Sequence, residues 1–431
     1  MSKENKKNVP ALRFPEFVDS GDWVEKRMEK LYSFKITNSF SRAKLNYKEG
    51  KVKNIHYGDI HIKFSTLFDI TKEDVPFINA DVPIERINHE NYCKEGDLVF
   101  ADASEDIDDI GKSIELVNLN GEQLLAGLHT FLARQRTSKL VIGFGGHLFK
   151  SNRIRRQVKR EAQGAKVLGI SKGRLGSIKI TYPVNKSEQQ KIANCLSALD
   201  QTLEAARDYL AALRQHKKGL LQQLFPAEGQ LLPERRFPEF VGGGDWVVER
   251  LKQMGSVING LTYSPSDVRD TGLLVLRSSN VQNGQIDFSD CVFVREDIKG
   301  ANLTQPNDIL ICVRNGSKRL IGKNAMIPKS IPLSTHGAFM TIFRAKFPSF
   351  VYQLFQTYLY KKQVRADLGA TINSINSKNF IRYKFLIPPH PEQQKIANCL
   401  SSLDRLIEAQ ADKIAALEAH KRGLMQQLFP S

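Results

Sequence analysis

From residue 187 the chain places apolar side chains at alternating three- and four-residue steps: Leu196, Leu199, Leu203, Ala206, Leu210, Leu213, Leu220 and Leu224, broken only at Lys217. A second stretch repeats the spacing with Leu400, Leu403, Ile407, Ile414, Leu417, Leu424 and Leu428, broken at Gln410 and Lys421. A sustained 3.5-residue period marks a coiled-coil seam rather than the broader stripe of a globular helix. Ser187 reads as the N-cap of the first helix, ahead of a polar first turn. Helices of about 37 residues would each be about 55 Å long. One reading buries the two helices in separate cores. The other, simpler for two like seams in one chain, packs them on each other, antiparallel as pseudo-two-fold symmetry demands, with the units they carry at opposite ends.

The segments before each helix have a different texture. In the second, 273–281, 285–294, 308–314 and 337–345 read as strands, rich in β-branched and aromatic residues between polar breaks, followed by an amphipathic helix over 349–368. The first follows the same order through 52–62, 97–103 and 124–135, then a helix over 147–162. The fold class is α+β (mixed α/β), with a pseudo-two-fold internal repeat.

The repeat is explicit in the residues. RFPEF at 13–17 with GDW at 21–23 recurs at 236–240 with 244–246, and EQQKIANCLSALD at 188–200 recurs as EQQKIANCLSSLD at 392–404. The likeness continues through His216-Lys217 and His420-Lys421 to QQLFP at 222–226 and 426–430. The ends of each copy match while the middles diverge, as expected if the ends do one structural job twice and the middles read different things. Joining the C-terminus back to Pro10 would make the chain nearly circular.

Charge narrows the function. The 431 residues carry 63 Lys and Arg against 46 Asp and Glu, a formal +17. Such an excess points to a polyanion, since basic side chains gain affinity by releasing phosphate counterions; an acidic protein partner or simple solubility are the alternatives. No apolar run approaches the roughly 20 residues that span a bilayer. The residues from Met1 to Asn8 read as disordered, without the apolar core of a signal peptide, so a cytoplasmic location is expected. The five cysteines form no CxxC pair, which argues against a disulfide framework and a structural zinc site.

Three places in each copy are candidates for DNA contact. The first is the strand end His56-Tyr57, matched by Arg277-Ser278. The second is the loop 102–112 with Asp102, Ser104 and Lys112, matched by 314–323 with Arg314, Asn315, Lys318, Arg319 and Lys323. One loop is acidic and the other basic, which suits different base preferences: a carboxylate accepts from a cytosine amino group, and arginine forks to guanine. The third is the basic helix, with Arg153, Arg156 and Arg160, and its following loop with Lys172 and Arg174; its counterparts are Lys361, Lys362 and Lys378. A solvated face is the plain alternative for each. His129 and His336 lie near matched strands and suit core or hydrogen-bonding roles. At 3.4 Å per base pair, about 55 Å of helix corresponds to some 16 base pairs, a ruler between two half-sites.

Chemistry-bearing motifs are absent. There is no [DNS]PP[YFW] tetrapeptide, Gly143-Phe-Gly-Gly146 makes no FxGxG, and Gly111-Lys-Ser113 lacks the upstream glycine of a phosphate-binding loop. A diverged α/β domain, a helix opening with (S/P)EQQKIAxxLSxLD, a second diverged domain and a second such helix resemble the specificity subunit of type I restriction–modification systems. The strand end YGDIH and Ile387-Pro-Pro389 ahead of Glu392 are also similar to that family. The resemblance implies two target-recognition domains, 1–186 and 227–390, separated by an antiparallel two-helix coiled coil of the spacer helices 187–226 and 391–431.

It further implies a non-catalytic chain that reads a split, asymmetric site in double-stranded DNA. Two methyltransferase subunits would modify adenine with S-adenosylmethionine, and motor–nuclease subunits would act with ATP and Mg. The chain would hold no cofactor or metal itself, and DNA-mimic antirestriction proteins would be possible partners. A stand-alone DNA-binding regulator acting by occupancy is the competing reading; a self-sufficient modification enzyme lacks its motifs.

Overall fold

The computed structural model describes residues 8–368 and 373–431. The polar stretch 1–7 and the start of the loop 369–378 lie outside the described residues. The chain forms two compact units: one takes the chain up to Ala206 together with Lys413–Ser431, and the other is Arg207–Asp412. Both long helices, Lys186–Leu224 and His390–Gln427, contribute to both units.

In the first unit a five-stranded sheet runs in the order Tyr32–Lys35, Thr130–Gln135, Leu98–Ala101, Ser113–Asn118, Leu67–Asp69. A four-stranded sheet (Leu124–Ala126, Lys53–Ile55, Phe77–Ile78, Leu45–Asn46) lies beside it. Strand Leu98–Ala101 is buried throughout because both its faces are covered: Leu98 and Phe100 join the core shared with the helices, Val99 and Ala101 the core shared with the second sheet. A separate ribbon pairs Val24–Arg27 antiparallel with Lys179–Tyr182.

The second unit repeats the design on its own residues. Its first sheet runs Gly255–Asn259, Met340–Ala345, Ile309–Cys312, Asn324–Met326, and its second Ser334–His336, Leu273–Leu276, Phe293–Val294, Val268–Arg269. Ile309 and Ile311 face the helix-side core, while Leu310 and Cys312 face the other. Val247–Arg250 pairs with Lys384–Ile387 as the ribbon.

The repeated motifs are latches between each unit and its helices. Arg13 grips Glu188 with two hydrogen bonds of 2.7 Å, and the Trp23 indole donates to the same carboxylate at 3.1 Å. Arg236 and Trp246 grip Glu392 likewise, at 2.9, 2.7 and 3.2 Å. Both carboxylates are 1% exposed, so the fork and the indole supply the hydrogen bonds that water cannot. The closing QQLFP explains the apparent circularity. Phe429 packs edge-on against Trp23 and Phe225 against Trp246. Leu12 N–H donates to Gln427 O at 2.9 Å, as Arg235 N–H does to Gln223 O at 2.9 Å.

Within each unit the helices run antiparallel, and every seam residue from Leu196 to Leu424 named above is buried or half-buried. The two lysines that break the pattern are ion-paired across the helices. Lys217 meets Asp404 at 2.5 Å in the second unit, and Lys421 meets Asp200 in the first. The long stems of both lysines still cover the seam.

Several expected elements are cut in two. The helix begins at Lys186, and Asn185 rather than Ser187 caps it, accepting from Ser187 N–H at 2.9 Å. The run 52–62 is a strand only over Lys53–Ile55 and then turns into the helix Tyr57–Ile62, capped by His56. The run 124–135 is two strands, Leu124–Ala126 and Thr130–Gln135, in different sheets. At Gly127 a Cβ would stand 2.4 Å from Asn54 Nδ2, so only glycine fits the turn between them. The strand expected over 273–281 stops at Leu276, and that over 285–294 survives as Gln285–Ile286 and Phe293–Val294. The helices expected over 147–162 and 349–368 are each a pair, Phe144–Phe149 with Asn152–Glu161 and Pro348–Leu354 with Tyr358–Asp367.

Candidate nucleic-acid interfaces

Three strand ends converge in each unit. In the first they deliver His56 and Tyr57 after Lys53–Ile55, Asp102 after Leu98–Ala101, and His129 ahead of Thr130–Gln135. Tyr57 lies tilted against His56 with centroids 4.7 Å apart and makes T-shaped contacts with His61 and His129 at 5.9 and 5.3 Å. Asp102 Oδ1 lies 3.2 Å from His129 Nδ1. Burial pushes the Asp102 carboxyl above its usual range, against the pull of His129 and Lys172. Burial, helped by Arg42, holds the His56 imidazole below its usual value, which suits the neutral ring whose Nδ1 accepts from Gly58 N–H.

The equivalent strand ends of the second unit carry other chemistry. Arg134–Asp97 (2.6 Å) and Arg344–Asp308 (2.8 Å) occupy matching strand positions and fix the correspondence. Arg277 stands for His56, Ser278 for Tyr57 and Phe339 for His129. Arg277 pairs with Asp290 at 2.7 Å, and Asn315 Nδ2 donates to Ser278 Oγ at 3.2 Å. The Arg314 guanidinium lies 5.7 Å from the Phe339 ring centroid. The first tip is acidic and imidazole-rich; the second is a guanidinium on an aromatic plate.

The two loops are anchored alike and charged oppositely. Both turn on a left-handed glycine, Gly111 (φ 61°) and Gly322 (φ 82°), where a Cβ would strike Val158 and Val364 of the helix beneath. In the first unit the acidic loop is tied to the basic helix: Asp108 pairs with Lys159, and Arg155 donates to Asp108 O and Ile110 O at 3.0 and 2.7 Å. The acidic run therefore neutralises Lys159 and ties down Arg155 of its own helix. In the second unit, among the described residues, Lys318 and Arg319 are exposed without a carboxylate partner, and Lys323 bonds only the Gln282 amide at 3.3 Å.

The remaining candidates divide by partner. Ser104 is buried, and its hydroxyl accepts from Asp106 N–H at 3.0 Å, which makes it a loop brace. Arg153 is tied to Glu25 at 2.7 Å, Arg174 to Glu161 at 3.4 Å, Lys362 to Glu228, and Lys112 to Asp109 and His61 O. Arg156, Arg160, Lys172, Lys361 and Lys378 are exposed and, among the described residues, carry no ion pair. Sequence reasoning left His129 and Phe339 out of the interface. The signal was there: a glycine stands two residues before each, Gly127 inside the run 124–135 and Gly337 at the head of the run 337–345.

The model of the type I restriction modification DNA specificity domain matches residues 23–214 and 243–419, most of the chain. This chain belongs to that family. It is 32% identical over 168 residues to the type I restriction enzyme EcoKI specificity subunit of Escherichia coli (strain K12), a match covering 37% of this chain and 36% of that relative. It thus spans about a third of that relative's length, and an equal share of the StySPI specificity subunit of Salmonella potsdam, at 30% identity. A putative type I restriction enzyme MjaX specificity subunit of Methanocaldococcus jannaschii is 24% identical over 443 residues, 99% of this chain and 96% of that one. In fold, the type I restriction-modification S subunit from M. genitalium superposes with a TM-score of 0.62 at 16% identity, over 98% of this chain and 99% of that one. The chain is therefore a member of this family by sequence, and its fold is that of a solved S subunit. Among its described residues no helix is long and apolar enough to cross a membrane.

Proposed function

We propose that each unit reads one half of a split, asymmetric DNA site, and that the two long helices set the number of unread base pairs between them. The observation that carries this reading is the pairing of like scaffolds with unlike tips. Matching latches and strand orders, alike except for the extra edge strand Leu67–Asp69 of the first unit, present His129, Asp102 and Tyr57 in one unit and Phe339, Arg314 and Ser278 in the other. Two readers of one sequence would need no such difference. Helices of 39 and 38 residues have lengths of about 58 and 57 Å, the span of some 17 base pairs.

In this reading the chain is not itself an enzyme. It positions two methyltransferase subunits, which hold S-adenosylmethionine and modify adenine N6, and motor–nuclease subunits, which use ATP and Mg, all in the cytoplasm. Phosphate contacts come from the unpaired cations Arg156, Arg160, Lys318, Arg319 and Lys361, which supply affinity and salt dependence without reading bases.

The test is DNA binding and methylation by the chain alone and with its methyltransferase partner. The proposal expects no methylation by the isolated chain, and about nanomolar, salt-sensitive binding of a split site by the complex. Equal affinity and specificity with and without the partner would replace it with an occupancy regulator; cofactor binding by the isolated chain would make the chain an enzyme.

A further inference from the structure

One position in each unit is built to face outward where its neighbours are tied inward. His336 is fully buried and bonds Ile258 O at 3.0 Å, and His147, 1% exposed, bonds Ser197 Oγ at 3.2 Å. His129 differs on every count. Its side chain is 51% exposed, and its backbone is left-handed (φ 53°), which turns the residue out of the strand it precedes. Among the described residues its ring makes one hydrogen bond, through Nδ1 to Asp102. A carboxylate accepts and does not donate, so in the neutral ring Nδ1 carries the proton and Nε2 is an acceptor with no partner among the described residues. The T-shaped contact with Tyr57 and the Asp102 carboxylate hold the ring in place.

Phe339 occupies the matching place, 57% exposed, with the Arg314 guanidinium over its ring. Arg314 has no carboxylate partner among the described residues. A guanidinium held over an aromatic ring loses less rotamer freedom on binding than a free one.

We propose that the residue opening this strand, His129 in one unit and Phe339 in the other, is a specificity-determining position. His129 accepts from the exocyclic amino group of adenine or cytosine in the first half-site. Phe339 acts through Arg314, holding its fork for the O6 and N7 of a guanine in the second. This rests on the reading of the chain as a two-part DNA reader. It adds which strand positions read, and what base chemistry each takes.

The experiment uses the full chain in complex with its methyltransferase partner, and competition binding of oligonucleotides substituted one base pair at a time. His129→Gly removes the ring and keeps the left-handed backbone at no cost. It is expected to lower discrimination at one base pair of the first half-site by about five- to a hundred-fold, leaving the second half-site unchanged. Phe339→Ala is expected to do the mirror image. Should the glycine variant fail to fold, His129→Asn, which also tolerates the left-handed region, must change the preferred base at that same position. Unchanged discrimination at every position would overturn the proposal, as would uniform weakening across all sequences, the sign of a phosphate or structural contact. If the unsubstituted complex itself prefers no sequence, the DNA-reading proposal has failed rather than the assignment of these two positions.

Discussion

The latch at the start of the first long helix offers the sharpest test of how the units are held. Glu188→Leu removes a carboxylate that is 1% exposed and leaves the Arg13 guanidinium, 7% exposed, without its counter-ion. Breaking a buried ion pair on one side costs about 3–5 kcal/mol. The Trp23 indole loses its acceptor too, though within the same site, so the costs do not simply add. Replacing both partners, Arg13→Met with Glu188→Leu, removes the stranded charge and should recover most of the loss. The assay is built into the sequence: the chain has two tryptophans, Trp23 and Trp246, one at each latch. In a Trp246→Phe background, fluorescence during urea denaturation reports the first unit alone. The expected result is a midpoint lowered strongly by Glu188→Leu and largely restored by the double variant. A single variant within about 0.5 kcal/mol of its parent, or a double variant at least as unstable, would refute the latch.

Three further expectations follow from specific contacts. Asp404 accepts from both Lys217 and the fully buried Gln353, whereas His147 stands in the place of Gln353 in the first unit and bonds Ser197 instead; Asp404→Ala should therefore cost about 2–3 kcal/mol and Asp200→Ala about 1, measured by denaturation of the corresponding unit. Burial pushes the Glu115 carboxyl up to about 7, so the folded state holds a proton the unfolded chain has released, and stability should fall by up to about 3 kcal/mol as pH rises from 4.5 to 7. Glu115→Gln should flatten that slope, and an unchanged slope would assign it to other groups. Since Leu12 meets Gln427 as Arg235 meets Gln223, a permuted chain closed between Ser431 and Pro10 and opened within 227–234 should fold and bind DNA; loss of both by circular dichroism and binding would contradict the equivalence.

The parts legible in the sequence are those fixed by local pattern. The 3.5-residue seam is a one-dimensional signal, and it located both helices to within a few residues. The duplicated motifs were visible as words, but their meaning needed three dimensions: nothing local links Arg13 to Glu188, 175 residues away. The breaks at Lys217 and Lys421 looked like defects until each met an aspartate on the opposite helix. Strand limits were overrun wherever an apolar run continued through a turn. Leu124 to Gln135 crosses between two sheets at Gly127 without losing its hydrophobic character, because both sheets are buried. The same misreading hid His129 inside a presumed strand. In the basic helix, composition marks Arg153 and its neighbours for DNA contact, while tertiary packing gives Arg153 to Glu25 and Lys159 to Asp108.

If, as proposed, two unlike readers act at a separation set by the long helices, the unread gap must follow helix length. Modification-sensitive sequencing of host DNA, with the natural chain and with seven residues inserted at matching points of both helices, tests it most directly. One heptad keeps the seam in register and adds about 10 Å, close to three base pairs. The expected motif has two short, different methylated runs around an unread gap, with the same runs and a gap about three base pairs longer in the insertion variant. A contiguous motif, or a gap that does not lengthen while modification persists, would contradict it.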